Sequence, residues 1–184
     1  MKKESTLRYV LRLTLTLLAI SIIVAAILAL VNGITAPIIE RATEEKTQRA
    51  IAQVLPGGYD TQLTEFSDPS GLVSRVFAGQ QGYALEVTPI GFDNTITMMV
   101  GVDKEGKVLG ISIISHTESA GLGAVAAANN TAGQAFRAQF AGLSGQVQVS
   151  KDGGTVDAIT NATITSRAIC DGVNAALACV DALD

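Results

Sequence analysis

The sequence predicts an α+β protein: one N-terminal transmembrane helix, then a domain in which helices pack on a twisted antiparallel sheet. Three observations carry this. The run Leu13–Val31 is apolar and uncharged over 19 residues. The middle of the chain holds three short stretches rich in branched and aromatic residues, set apart by turn formers. The C-terminal stretch repeats apolar residues with helical period.

At about 1.5 Å per residue the apolar run reaches roughly 28 Å, close to the hydrocarbon thickness of a bilayer. A signal-peptide core is about 7–15 residues long and ends at a small-residue cleavage site. This run is longer and no A-x-A pattern lies just after it, so an uncleaved anchor is expected. Lys2, Lys3, Arg8 and Arg12 precede it against Glu4 alone, a net of +3, whereas nine basic and 16 acidic residues follow it. Basic flanks stay cytoplasmic, which predicts a single-pass protein of the inner (plasma) membrane with its acidic domain outside the cytoplasm. An acidic domain without a basic cluster argues against nucleic acid as a partner.

After the span, Pro37 is placed to open a helix at its first turn. Ile38, Ile39, Ala42, Ala50, Ile51, Val54 and Leu55, with charges between them, extend a juxtamembrane stalk that stops at Pro56-Gly57-Gly58. The expected organisation is therefore a cytoplasmic N-terminus at 1–12, the transmembrane helix at 13–31, the stalk helix at 32–58 and the domain at 59–184. Residues 59–74 are polar and carry little signal. Gly82–Val87, Thr95–Val102 and Lys107–Ser115 read as strands, the last two joined antiparallel by the turn Asp103-Lys104-Glu105-Gly106. A Gly/Ala segment at 119–128 leads to a helix from Asn130 to Phe140, and Gln146–Ser150 reads as a strand. The last helix, from about Ala162 onward, has Ile164, Ala168, Ile169, Val173, Ala176, Leu177, Val180 and Leu183 on its apolar pattern. Cys170 and Cys179 lie within it, about 13.5 Å apart, too far for a disulfide, which needs Cα atoms within about 7 Å. They read as small core residues.

The segment with chemical content is Asp157-Ala158-Ile159-Thr160-Asn161-Ala162-Thr163-Ile164-Thr165-Ser166. Four hydroxyls and an asparagine crowd the start of the last helix. A helix N-terminus presents unpaired N–H groups and partial positive charge, which favours phosphate. The same residue types are also ordinary N-caps, so local composition leaves an anion site and a plain cap both open.

Asp157-x-x-Thr160-Asn161-Ala162-Thr163 resembles the flavinylation motif of the FMN-binding domain family, Asp-x-x-(Ser/Thr)-Gly-Ala-(Thr/Ser). Asn161 stands where that motif has Gly; asparagine also tolerates left-handed backbone angles. His116-Thr117-Glu118-Ser119-Ala120-Gly121-Leu122-Gly123 is similar to the family's His-x-Glu-Thr-Pro-Gly-Leu-Gly box, with Ser119-Ala120 in place of Thr-Pro. Gly91-Phe92-Asp93-Asn94-Thr95-Ile96 sits where the family has a Gly-aromatic-Gly-Gly-x-Ile turn. The order of span, stalk, sheet, box and terminal motif resembles the G subunits of Rnf-type electron-transport complexes. The related C subunits of sodium-pumping quinone reductases are usually longer.

The resemblance implies a flavoprotein with FMN esterified through its phosphate to Thr163, attached by a flavin transferase that uses FAD. It implies a subunit that transfers electrons and is not catalytic alone. The complex would oxidise ferredoxin, reduce NAD and move ions, with other membrane subunits of an Rnf-like assembly as partners. Cofactor-binding residues carried over are Asp157, Thr160, Asn161, Ala162, Thr163, Thr165, His116, Glu118, Gly121, Leu122 and Gly123. For several of them a second reading stays open. Asp157 assists flavin transfer or is a surface turn acid; Thr160 and Thr165 bond phosphate or cap the helix. His116 belongs to the flavin pocket or is a packing residue, and Glu118 accepts from the flavin or bonds backbone. Gly121 and Gly123 serve a tight turn in either case. His116 is the sole histidine, which excludes a multi-His metal site. Two other functions remain: a stand-alone flavinylated domain serving another reductase, and an anchored sensor that binds a ligand without redox chemistry.

Overall fold

The computed structural model describes residues 3–183. Lys2 and the side chains of Lys3 and Glu4, which enter the flanking-charge argument, lie outside the described residues. The chain forms two compact units that divide between Glu45 and Lys46.

Helix α1 runs from Lys3 to Val54 and passes through Pro37. Pro37 thus lies inside a helix and does not open one. The hydroxyl of Thr35, two residues earlier, donates back to the Val31 carbonyl at 2.9 Å, a bond made within a continuous helix. The proline costs the backbone bond to the Gly33 carbonyl, a loss that membrane helices tolerate. Large apolar side chains from Leu7 to Ile39 are exposed along this unit, the composition of a lipid-facing surface. Thr14 and Thr16 donate to the Val10 and Arg12 carbonyls at 2.9 and 2.8 Å, so their hydroxyls are satisfied by their own helix.

The second unit is built on a five-stranded antiparallel meander: β1 (Thr61–Leu63), β2 (Val73–Ala78), β3 (Gly82–Val87), β4 (Thr97–Asp103) and β5 (Val108–Ser115), side by side in chain order. The Asp103–Gly106 turn joins β4 to β5 as expected; Asp103 N donates to the Lys107 carbonyl at 2.8 Å. Alternation along the strands sorts side chains onto two faces. Leu85, Met98, Val100 and Val102 turn to one face, where α3 (Thr163–Asp181) packs. Ala84, Met99 and Phe77 turn to the other, where the end of α1 supplies Ala50, Ile51, Val54 and Leu55. Both contacts need a glycine for close approach: a Cβ at Gly101 would lie 2.2 Å from the Val54 carbonyl oxygen, and one at Gly172 would lie 2.6 Å from Met98 Cε.

Two strands were not legible in the sequence. β2 is interrupted by Ser74 and Arg75, whose partners come from elsewhere. Arg75 sits opposite Glu86 on β3, donates to its Oε2 from Nε at 3.1 Å, and reaches Thr47 Oγ1 on α1. A polar network between layers therefore replaces the apolar pattern that marks a strand. The expected strand at Gln146–Ser150 is corrected: there is one isolated parallel bridge, Val149 to Val156, followed by a 3-10 turn over Ser150–Asp152. Val147 is satisfied by a side chain instead of a neighbouring strand, its N–H donating to Asn174 Oδ1 at 2.7 Å and its carbonyl accepting from Asn174 Nδ2 at 2.9 Å.

The Gly/Ala segment contains a 3-10 helix over Gly123–Ala127, and α2 (Thr131–Ala138) follows with Asn130 as N-cap, its Oδ1 accepting from Gly133 N at 2.9 Å. Arg137 ties α2 back to the 3-10 helix by donating to the Ala126 and Ala128 carbonyls. Cys170 and Cys179 are free and buried in α3. Burial pushes the Cys170 thiol up to about 12, so at neutral pH it is the unreactive thiol, as packing cysteines are.

Candidate functional site

The turn that delivers the chain into α3 is organised by Ser166. Its buried hydroxyl donates to the Ala162 carbonyl at 2.9 Å and accepts from Ile159 N at 3.0 Å. Within that turn Asn161 adopts φ 61°, the only described residue other than glycine with positive φ. The motif position that resembles a family glycine thus requires the left-handed conformation, and Asn161 supplies it. We expect Asn161→Gly to fold and melt at least as well as the parent. Asn161→Ala should lose about 1–2 kcal/mol, read as a lower melting temperature in detergent. An alanine variant that melts with the parent would show that this backbone angle is not a constraint.

Helix α3 then starts without a side-chain cap: Ala162 occupies the N-cap position, and no side-chain capping hydrogen bond is made there among the described residues. The plain-cap reading of the motif's hydroxyls is therefore not what they do here. Thr163, half-buried at the first helical position, accepts a hydrogen bond at Oγ1 from Lys151 Nζ at 3.1 Å. Thr165 points inward and donates to Glu118 Oε2.

Glu118 joins three parts of the domain. Its other oxygen, Oε1, accepts from the N–H groups of Phe92 and Asp93 at 2.8 and 3.2 Å, and the residue is only 7% exposed. Two glycines make room for it: a Cβ at Gly91 would lie 2.3 Å from Oε1, and one at Gly123 would lie 2.2 Å from Oε2. Of the two sequence readings, the carboxylate does bond backbone, at the 91–93 loop. Both of its oxygens are committed within the protein.

These elements enclose a cavity of about 320 Å³, within the usual size range of small-molecule sites. Its lining combines polar groups, Thr163, Asn161 and Lys151 among them, with the apolar side chains of Phe92, Leu122 and Ile164. Those three apolar side chains are 67%, 41% and 51% exposed. Ile164, read from periodicity as a core residue, instead forms the cavity's lip. The arrangement fits a ligand with an anionic end and a flat apolar body. An uncapped helix start and an ammonium stand ready for a phosphate, and apolar side chains border a space for a ring system.

The expected site residues divide into three places. Glu118, Leu122, Gly123, Asn161, Ala162, Thr163 and Thr165 line this cavity. Asp157, Thr160 and Gly121 line a neighbouring groove of about 620 Å³ between the motif turn and α2. There the Asp157 backbone exchanges hydrogen bonds with the Gln139 side chain. His116, directly after β5, lines neither; its Nδ1 is buried with no hydrogen-bond partner among the described residues. Lys151 had no signal of its own in the sequence. It lies 12 positions before Thr163, and only the folding of the 147–157 loop brings the two together.

Residues 91–178 match the FMN-binding domain family, so the fold and its cavity define an FMN-binding domain behind a membrane-spanning helix. The wider chain is 31% identical to the G subunit of the ion-translocating oxidoreductase complex of Pseudomonas aeruginosa strain UCBPP-PA14, over 97% of this chain and 92% of that one. It is 30% identical to the G subunit of the Na(+)-translocating ferredoxin:NAD(+) oxidoreductase complex of Acetobacterium woodii, over 91% and 89%. The G subunit of the ion-translocating oxidoreductase complex of Methanosarcina acetivorans is 28% identical, over 93% and 94%. The chain belongs to this family of G subunits and is a membrane-anchored electron-transfer protein with an FMN-binding domain.

Proposed function

We propose that the chain carries FMN covalently on Thr163 and relays electrons within a membrane complex of the Rnf type, which couples ferredoxin oxidation and NAD reduction to ion movement. The observation that carries this is the placement of the Thr163 hydroxyl at an uncapped helix start, in a cavity whose lining includes the Lys151 ammonium and the apolar side chains of Phe92, Leu122 and Ile164. A flavin transferase would attach the group from FAD: the Thr163 Oγ1–P bond forms, the P–O bond to AMP breaks, AMP leaves, and the hydroxyl proton passes to a base on the transferase. Bound FMN supplies the redox chemistry; the protein supplies tether, orientation and surroundings.

The chain's own residues account for the rest. The helix start and Lys151 would hold the anionic end, and Phe92, Leu122 and Ile164 would offer apolar surface to the ring system; Glu118 fixes the loop that carries Phe92. A linkage through the phosphate leaves the ring itself unsubstituted and prevents loss of the cofactor into the surrounding medium. Co-expression with a flavin transferase is expected to add one FMN to the intact mass and to give a protein band that fluoresces after denaturation. An unmodified mass would overturn the covalent reading.

The charge difference across the span supports a domain outside the cytoplasm. Lys104 and Lys107, on the exposed β4–β5 turn, should then be cleaved by trypsin added to intact spheroplasts. Cleavage only after lysis would place the domain inside.

A further inference from the structure

We propose that Lys151 is a positioning residue for flavin attachment: it orients the acceptor hydroxyl of Thr163 and then pairs with the phosphodiester formed there. This rests on the reading of Thr163 as the attachment site and assigns a role to a residue outside the motif.

Lys151 sits on a tightly closed loop. Between Val149 and Val156 the backbone bonds to itself. Ser150 N donates to the Val156 carbonyl at 2.8 Å, and Asp152 N and Gly154 N both donate to the Val149 carbonyl, at 2.9 and 3.1 Å. Gly154 packs so tightly that a Cβ would lie 2.0 Å from the Gln148 carbonyl oxygen. This compact loop is clamped to α3 by Asp152, whose two oxygens accept from Arg167 Nε and Nη2, both at 2.7 Å. Arg167 and Thr163 are four residues apart, one turn along the same helix face. The clamp at Arg167 therefore sets the adjacent Lys151 over Thr163.

The clamp also settles the charges. Asp152, the nearest acid in sequence, is engaged by Arg167, and no ion pair to Lys151 is found among the described residues. Its ammonium donates to a neutral hydroxyl, an arrangement with little structural value on an exposed surface. Glu118, which shares the cavity, has both oxygens committed to Phe92, Asp93 and Thr165. A cation whose neighbouring carboxylate, Asp152, is already bonded by Arg167, beside a helix start without a cap, suits an incoming phosphate group.

The direction of the hydrogen bond matters for the chemistry. An ammonium has only donors, so Thr163 Oγ1 is the acceptor. One lone pair of the hydroxyl is held by Lys151, the other is free to attack phosphorus, and the hydroxyl proton remains available to the transferase's base. After transfer the phosphodiester carries one negative charge, and Lys151 lies within reach to balance it. Lysine is not the base here; it orients the nucleophile and stabilises the charged product.

The test uses the full-length chain in membranes with flavin transferase and FAD. Lys151→Met, Lys151→Arg and Thr163→Ala are compared with the parent by the time course of denatured-band flavin fluorescence. Melting of the unloaded proteins is followed in parallel. Lys151→Met should melt with the parent, since Arg167 and Asp152 hold the loop, yet load about tenfold more slowly. Lys151→Arg should recover most of the rate. Added salt should slow the parent more than Lys151→Met, and the phosphorus resonance of the loaded parent should shift in the methionine variant. Loading of Lys151→Met at the parental rate and with the parental salt dependence would overturn the proposal while leaving Thr163 in place. A parent that never loads, or a Thr163→Ala chain that does, would overturn the attachment site and this role with it.

Discussion

Thr163→Ala is expected to abolish covalent flavin altogether while leaving the domain folded. Loss is all-or-none because a methyl group has no oxygen to bond to phosphorus, and Thr160 and Thr165 are not substitutes. Thr160 lines the neighbouring groove, and Thr165 is buried with its hydroxyl given to Glu118. Folding should survive because Thr163 is not the helix cap and is half-exposed; such a change ordinarily costs well under about 1 kcal/mol. Thr163→Ser keeps the nucleophilic oxygen at the same place and should load. The readouts are intact mass and fluorescence of the denatured band. Full fluorescence from the alanine variant would move the ester to another hydroxyl.

Glu118→Ala should be the most damaging single truncation around the cavity. It removes the acceptor for two backbone N–H groups and for the Thr165 hydroxyl, all at a residue 7% exposed. Hydrogen bonds to a charged group contribute about 1.5–3 kcal/mol, and buried donors left without partners cost about 1–3 kcal/mol. A loss of about 3 kcal/mol or more is expected, seen as a much lower melting temperature, together with a loosened 91–93 loop and poorer shelter for the flavin ring. Glu118→Gln is the control. Its carbonyl oxygen still accepts from Phe92 and Asp93, and its amide can donate to Thr165 Oγ1, so its loss should be clearly smaller. Equal melting of Glu118→Ala and the parent would show that the three-way junction has no energetic weight.

These two residues also show what was legible beforehand. Thr163 stands in a short contiguous motif whose spacing is visible in one line of sequence, and the Asn161 departure from glycine pointed to the backbone angle now seen. Glu118 was visible as part of a box, but its partners are 25 to 47 positions away, and no local pattern records them. Lys151 was invisible for the same reason. In the fold, β3, β4, β5, α2 and α3 follow from periodicity and turn chemistry, which are local. Strand β2 did not, because Arg75 and Ser74 are accommodated by Glu86 and Thr47 across two layers. The strand expected at Gln146–Ser150 failed because Asn174 on α3 satisfies the backbone that a neighbouring strand would have paired.

The end of α1 has a practical consequence for anyone cutting the anchor away. Residues 46–55 read in the sequence as stalk, yet Ala50, Ile51, Val54 and Leu55 are the cover of one whole sheet face. Thr47 and Gln53 add polar links to Arg75 and Ser112. Excision at the Pro56-Gly57-Gly58 stop would strip that cover from Phe77, Ala84 and Met99 and leave a sticky, half-finished sandwich. The place for the scissors is upstream of Lys46, so that the soluble piece keeps as its first helix what looks, on paper, like the last of its tether.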